Sequence, residues 1–165
     1  MLHRVFGDNE KYNKSYQKVR IDDEWLYYPN FMEWIKKQPN YLKWKMGGDE
    51  WSIDKDILSS LDDKIYSSNT CCLVPKYINN CVIENGLGLQ NKKDKLPQGI
   101  YKNHNRYYFK EGKKYYTFGT VEEASKAYIE NRNRIRKEMA IKAFENKDIT
   151  ELVYKKLMDD NFIYR

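Results

Sequence analysis

Asp54 and Asn79 have the side-chain types and the spacing that a small metal-dependent nuclease site requires. We predict that Asp54 lies on a strand, that Asn79 lies on a helix, and that a second strand separates them. A nuclease that cuts DNA with one metal needs oxygen or nitrogen ligands on the cation, and a base that takes a proton from the attacking water. A strand hairpin followed by a helix presents these groups on one surface. The residues therefore predict Asp54 and Asn79 as metal ligands, with Mg²⁺ as the expected cation.

Lys55 occupies the position where such a site needs its proton acceptor. An ammonium group keeps its proton at neutral pH, and the flanking carboxylates of Asp54 and Asp56 strengthen that hold. Lys55 is therefore expected to be a poor base, but it could hold a phosphate or stabilise the transition state. An alternative stays open, in which Asp54 and Asp56 are strand-edge and turn acids paired with lysines.

The elements that must position these side chains follow from local sequence signals. Asn30 followed three residues later by Glu33 is similar to a capping box and predicts the start of a helix. Pro75 suits the first turn of another helix. Glycines, a charge run and a proline interrupt regular structure over 84–97, so we divide the chain into segments 1–91 and 92–165. The predicted elements of the first segment are a helix from Asn30 to before Pro39, strands at 51–58 and 70–74, and a helix at 76–84.

The positive charge of the chain is concentrated in one segment. The whole chain has a net charge of +6, whereas residues 92–147 hold 15 Lys or Arg against 7 Asp or Glu, a net of +8. A concentrated basic surface is typical of a protein that binds a polyanion, most often nucleic acid. The alternative is a soluble, lysine-rich surface with no such ligand.

The cysteines and the hydrophobic pattern bear on location. Cys71, Cys72 and Cys81 show no disulfide framework spacing, which favours a reducing cytoplasm, that of the host cell if the protein is phage-encoded. Their spacing also disfavours zinc. No apolar run has the length of a membrane span, and the first residues lack the apolar core of a secretory signal, so no membrane partner is expected.

The basic segment is predicted to form a hairpin and a long helix. Strand-like runs at 106–110 and 113–118 flank a turn at Glu111 and Gly112, and Thr120 with Glu123 forms a capping box for a helix over 121–145. Asp148 is expected to cap a last short helix. Strand alternation predicts that Tyr107, Phe109 and Tyr115 pack on the helix. The residues then predicted to bind DNA from the opposite face, or close to it, are Lys102, Arg106, Tyr108, Lys110 and Lys114.

A short twisted ribbon of this kind fits the major groove of double-stranded DNA. Arg and Lys can meet phosphates or guanine edges there, and Tyr can bond a phosphate or touch a thymine methyl. A solvated outer sheet face would also be polar, and that alternative stays open.

The second segment resembles the plant ethylene-response-factor (APETALA-type) DNA-binding domain. The resemblance lies in residues 99–101, 107–109 and 115–124, followed by Ala127 and Tyr128. It implies three strands packed on one helix. Tyr116 stands where the family has Gly. The residues that match the signature Leu-Gly-x-Phe-x-Thr-x-Glu-Glu-Ala, or are close to it, are Tyr115, Phe118, Thr120, Glu122, Glu123 and Ala124.

The first segment resembles the HNH (ββα-metal) nuclease superfamily, and in particular a phage group in which an HNH-like module precedes an ethylene-response-factor-like domain. The resemblance implies that Asp54 takes the metal-ligand position, Lys55 that of the general-base His, Thr70 that of the middle Asn, and Asn79 that of the last ligand. The residues that carry it are Trp51, Ile53, Asp54, Lys55, Asp56, Ile57, Tyr66, Ser67, Thr70, Cys71, Val74, Pro75, Ile78 and Asn79.

These signals together predict an α+β fold: a small HNH-like ββα module, then a three-stranded antiparallel sheet packed on a long helix. The first functional hypothesis is a phage-type DNA-binding protein related to homing endonucleases, either weakly nucleolytic with Mg²⁺ or catalytically inactive. The second is a repurposed nuclease scaffold that binds protein. It would act as a regulator or would inhibit a host nuclease or nucleoprotein defence complex, as anti-restriction and anti-CRISPR proteins do.

Overall fold

A computed structural model describes residues 19–59, 65–83, 96–162 and 164. These residues form an α+β fold with six α-helices and three small sheets, as predicted. The boundary predicted at residues 91 and 92 lies outside the described residues. The elements before that gap are β1 (Arg20–Ile21), α1 (Asp23–Leu26), α2 (Tyr28–Lys36), α3 (Tyr41–Gly47), a 3₁₀ turn (Gly48–Glu50), β2 (Trp51–Asp54), β3 (Ile65–Tyr66), β4 (Cys72–Pro75) and α4 (Lys76–Val82). Those after it are β5 (Tyr101–Asn103), β6 (Arg106–Glu111), β7 (Lys114–Phe118), α5 (Val121–Glu145) and α6 (Glu151–Met158).

The first part of the chain contains a ββα unit. Strands β2 and β4 pair antiparallel, with Trp51 opposite Pro75 and Asp54 opposite Cys72. The chain then passes directly from β4 into α4, which packs back on both strands. Strands β1 and β3 form a separate parallel pair. The predicted order of strand, loop, strand and helix is therefore present.

The second part is the predicted three-stranded antiparallel sheet, in the order β5-β6-β7, packed on the first half of α5. A two-residue loop of Gly112 and Lys113 joins β6 to β7, and Gly112 adopts the positive φ of 57° that this tight turn requires. The buried centre of this unit is formed by Ile100, Phe109 and Ala124.

The largest core lies between the two parts of the chain. Asn40 links them as well, since its Nδ2 donates to the backbone carbonyls of Leu73 (2.8 Å) and Asp148 (2.7 Å). The second half of α5 and α6 therefore pack on the ββα unit. The buried residues of this core are Ile57, Cys72, Val74, Ile78 and Val82 from the first part, with Ala140, Ala143, Ile149, Val153 and Leu157 from the second.

Local signals predicted α5 well, because residues within four positions of one another form the hydrogen bonds at its start. The Thr120 hydroxyl accepts the Glu123 N–H at 3.2 Å, and the Glu123 carboxylate accepts the Thr120 N–H at 3.2 Å, which confirms the capping box and the helix over 121–145. The last helix begins differently from our expectation. Thr150, not Asp148, caps α6 by accepting the Val153 N–H.

Two other boundaries also differ from the sequence expectation. Helix α2 begins at Tyr28 with Pro29 in its first turn, and the Asn30 side chain donates to the carbonyl of Glu24 instead of capping α2. Strand β2 ends at Asp54 rather than continuing to residue 58. That early end is caused by the Asp54 side chain itself.

Candidate functional site

The Asp54 carboxyl closes the turn that ends β2. Its Oδ1 atom accepts the backbone N–H groups of Asp56 (2.8 Å) and Ile57 (2.7 Å), and only 4% of the residue is exposed. Burial raises the pKa of Asp54, and the N–H of Ile57 opposes that rise. The Asp54 side chain thus has a structural role in the turn, in an environment that disfavours its ionised form.

Lys55 is held by the next residue in the chain. Its Nζ donates to Asp56 Oδ1 at 2.6 Å, and it also lies 5.8 Å from the ring centre of Tyr66. Lys55 is buried. The Lys55 amine is therefore engaged with a carboxylate, which leaves it poorly placed to act as a base. The Lys55–Asp56 contact agrees with the alternative of turn acids paired with lysines.

Asn79 lies on the predicted helix, whereas Thr70, expected at the start of a strand, lies in the turn before β4. Thr70 Oγ1 accepts the Ser67 N–H at 3.1 Å and donates to the Ile65 carbonyl at 2.7 Å, which closes the turn before β4. Asn79 lies within α4 and is partly buried. The fold therefore places these two residues, with Asp54 and Lys55, in one ββα unit, and it gives Asp54 and Thr70 turn-closing hydrogen bonds.

The side chains around Asp54 do not fit a Mg²⁺ site. Mg²⁺ prefers an octahedral set of oxygen ligands that includes carboxylates. Here one carboxylate oxygen already accepts two amide N–H groups, and an ammonium group follows it in the chain. Across the described ranges, no group of three or more His, Cys, Asp or Glu side chains could hold a metal ion.

The sheet β5–β7 has one face turned away from α5, which we call the outer face. Cross-strand partners share a face, and successive residues alternate between faces. The register pairs Tyr101 with Tyr108, Tyr108 with Thr117, and Lys110 with Tyr115. The residues of the outer face are Tyr101, Asn103, Arg106, Tyr108, Lys110, Tyr115 and Thr117.

Tyr115 and Lys114 lie on the face opposite to the predicted one, and Lys102, predicted to lie close to the outer face, also starts from the opposite face. Tyr115 was expected to pack on α5, but it lies on the outer face, and Tyr116 stacks on Phe109 in its place with ring centres 4.9 Å apart. The two-residue loop sets this register. Lys102 pairs with Tyr107, and Lys114 pairs with Glu111. Both lysines therefore start from the face that carries Phe109.

Arg106, Tyr108 and Lys110 lie on the outer face as predicted. Arg106 and Lys110 are exposed, and neither forms an ion pair with a carboxylate of the described residues. Glu111 is the one acid between residues 96 and 121, and it lies on the face that carries Phe109. Arg134 of α5 pairs with Glu111 at 2.6 Å and lowers the pKa of its carboxyl. Within the described residues, the outer face therefore has no acidic side chain of its own and carries two cations that form no salt bridge. Arg106 also lines a pocket with Glu123 and Glu130 of α5.

Sequence reasoning missed a row of tyrosines that crosses the outer face. The ring centres of Tyr101 and Tyr108 are 5.5 Å apart, and those of Tyr108 and Tyr115 are 5.8 Å apart. We call these three residues the tyrosine row. Counting back from a two-residue loop at Gly112 and Lys113 would have paired Lys110 with Tyr115 and placed Tyr115 on the same face as Tyr108.

No family model matches the chain, and no curated protein or solved structure matches it either. In the described part of the chain, no helix combines the length and the apolar character needed to cross a membrane. The function is therefore inferred from the residues of this chain.

Proposed function

We propose that this chain binds DNA through the outer face of β5–β7, and that its ββα unit is a catalytically inactive relative of an HNH nuclease module. The observation that carries the proposal is the pair of exposed cations, Arg106 and Lys110, on a face without acidic side chains. This face belongs to the segment with a net charge of +8 (15 basic against 7 acidic residues over 92–147).

Electrostatics favours a polyanion as the ligand of this face. Phosphate groups attract unpaired cations, and the release of condensed counterions adds to the affinity. A surface cation already paired with a carboxylate contributes less, because it must give up that partner. Arg134 is such a cation, whereas Arg106 and Lys110 are not. The resemblance to the ethylene-response-factor domain supports the same face of the sheet.

The inactive state of the ββα unit is inferred from Asp54 and Lys55. Hydrolysis needs a proton acceptor near the attacking water, and the Lys55 amine is instead paired with Asp56. Asp54 closes a turn through two N–H groups. A weakly nucleolytic protein is the other outcome that the experiment below distinguishes.

The proposal is tested by fluorescence anisotropy with a labelled double-stranded DNA, titrated at several salt concentrations. We expect binding whose logarithmic affinity falls linearly with the logarithm of the salt concentration, with a slope of about −2 or steeper for two or more phosphate contacts. Absence of binding to this duplex and to the same strand unpaired, both at about 50 mM salt, would exclude the proposal. In parallel, supercoiled plasmid with Mg²⁺ should stay uncut by the wild type and by Lys55→His. Nicking that is lost in Asp54→Ala would show that the ββα unit is an active nuclease.

One observation favours the second candidate, a protein-binding role. Helix α3 buries none of its residues, and it exposes Leu42 (69%) and Met46 (84%). Exposed Met and Leu side chains on one helix suit a protein interface. A pulldown from host lysate that survives nuclease treatment, and that fails with Leu42→Ser/Met46→Ser, would favour this candidate.

A further inference from the structure

The outer face carries different residues from those predicted, and the difference changes which kind of DNA it suits. Lys102 and Lys114 start from the opposite face, whereas Tyr101 and Tyr115 lie on the outer face. The centre of the face therefore consists of the tyrosine row, with Lys110 beside it and Arg106 at the start of β6. A face that reads a duplex needs donors and acceptors aimed at base edges, whereas three aromatic rings occupy the middle of this face.

The rings of the tyrosine row are available to solvent. Tyr115 is 63% exposed and Tyr101 is 41% exposed, and they are the two ends of the row. Lys110 Nζ lies 5.8 Å from the ring centre of Tyr101 and 5.0 Å from that of Tyr115. A cation is thus held between two exposed aromatic rings.

Exposed aromatic rings interleaved with cations match the chemistry of an unpaired DNA strand. Bases stack on aromatic side chains because every base has a π-face, while cations meet the phosphates between the bases. In a duplex the base faces are already stacked on one another and cannot meet Tyr101 or Tyr115. On this basis we propose that the outer face binds single-stranded DNA in preference to duplex DNA, with Tyr101 and Tyr115 as stacking residues and Lys110 as the phosphate contact. This inference rests on the proposed function, because it specifies the DNA that the same face binds.

Cross-strand tyrosine pairs also stabilise a sheet without any ligand. Sheet stabilisation and base stacking predict different effects of Tyr115 on the affinity for DNA. If Tyr115 only stabilised the sheet, removing its ring would lower the melting temperature and leave affinity for DNA unchanged. If it stacks on a base, removing its ring weakens binding of the single strand, and Tyr115→Phe retains that binding because the ring remains.

The test compares a labelled thymidine oligonucleotide of about 16 nucleotides with a duplex of the same length, at one salt concentration. The wild type should bind the single strand more tightly. Tyr115→Ala and Tyr101→Ala should each weaken that binding by about fivefold to a hundredfold, the range expected for one stacked base. Tyr115→Phe should stay close to the wild type, and duplex binding should change little in all three variants.

Two results would overturn the inference and leave the proposed function in place. One is duplex binding that is as tight as, or tighter than, binding of the single strand. The other is single-strand affinity that is unchanged in Tyr115→Ala and Tyr101→Ala while both proteins remain folded by circular dichroism. Absence of binding to either DNA would overturn the inference and the proposed function together.

Discussion

Replacing Asp54 tests whether its carboxyl closes the turn after β2 or binds a metal ion. In Asp54→Ala, the N–H groups of Asp56 and Ile57 lose their acceptor, and the N–H of Ile57 is buried. An unsatisfied buried donor costs about 1–3 kcal/mol, and a partly buried one costs less, so we expect a loss of about 2–4 kcal/mol in the free energy of unfolding. For a protein of this size the melting temperature should fall by about 5–15 °C.

Asp54→Asn is the matched control, because its side-chain oxygen can still accept both N–H groups. It also removes the charge that burial disfavours. Since burial raises the pKa of Asp54 in the folded state, the folded protein binds this proton more tightly than the unfolded chain does. The associated stability is fully present below the ordinary Asp pKa and is lost as the pH rises through the folded-state pKa. Asp54→Asn should therefore gain stability relative to the wild type between about pH 4 and pH 8.

Urea unfolding of the three proteins at both pH values measures these differences. The expected order at pH 8 is Asp54→Asn at least as stable as the wild type, with Asp54→Ala well below both. Equal destabilisation by Asn and Ala would refute the structural role of this carboxyl, and a difference between Asn and wild type that does not change with pH would refute the raised pKa of Asp54. Stabilisation of the wild type by Mg²⁺, absent in Asp54→Asn, would point to a metal ligand instead.

Four further changes test the packing. Gly99→Ala should unfold or strongly destabilise the β5–β7 unit, since its Cβ would lie 2.3 Å from Cζ of Tyr128 at a φ of +75°. Gly112→Ala, at a φ of +57° but with open space around it, should lower the free energy of unfolding by about 1 kcal/mol, measured by thermal melting. Asn40→Ala should lower the free energy of unfolding by about 2–4 kcal/mol, because two carbonyls lose their donor. Thr120→Ala should cost about 1 kcal/mol and leave the helix over 121–145 intact by circular dichroism.

The sequence was most informative where a structure is determined by near neighbours. The capping box at Thr120 and Glu123 supplies the hydrogen bonds at the start of α5 within four residues, and the turn at Gly112 depends only on the positive φ of that glycine. The α+β class followed from these local signals. Sequence alone could not show that Asn40 joins the two parts of the chain, because its partners are 33 and 108 residues away.

The candidate site was predictable in position and less so in geometry. The ββα order placed Asp54 and Asn79 on the expected elements, whereas Lys55 follows the end of β2. Their chemistry depends on where each polar atom is directed, and no residue pattern determined that the Asp54 carboxyl turns back on its own backbone. On the sheet, a shift of one position in the register exchanges the two faces, which is why Tyr115 lies opposite to its predicted side.

The most direct measurement of the DNA-binding proposal compares two double variants that each remove two positive charges. Arg106→Gln/Lys110→Gln removes the unpaired cations of the outer face, and Lys36→Gln/Lys45→Gln removes two exposed lysines of α2 and α3. By anisotropy with labelled DNA, we predict that the first variant loses at least about tenfold in affinity and about two units of salt slope, while the second binds as the wild type does. Equal losses in the two variants, or none in the first, would contradict DNA binding by this face.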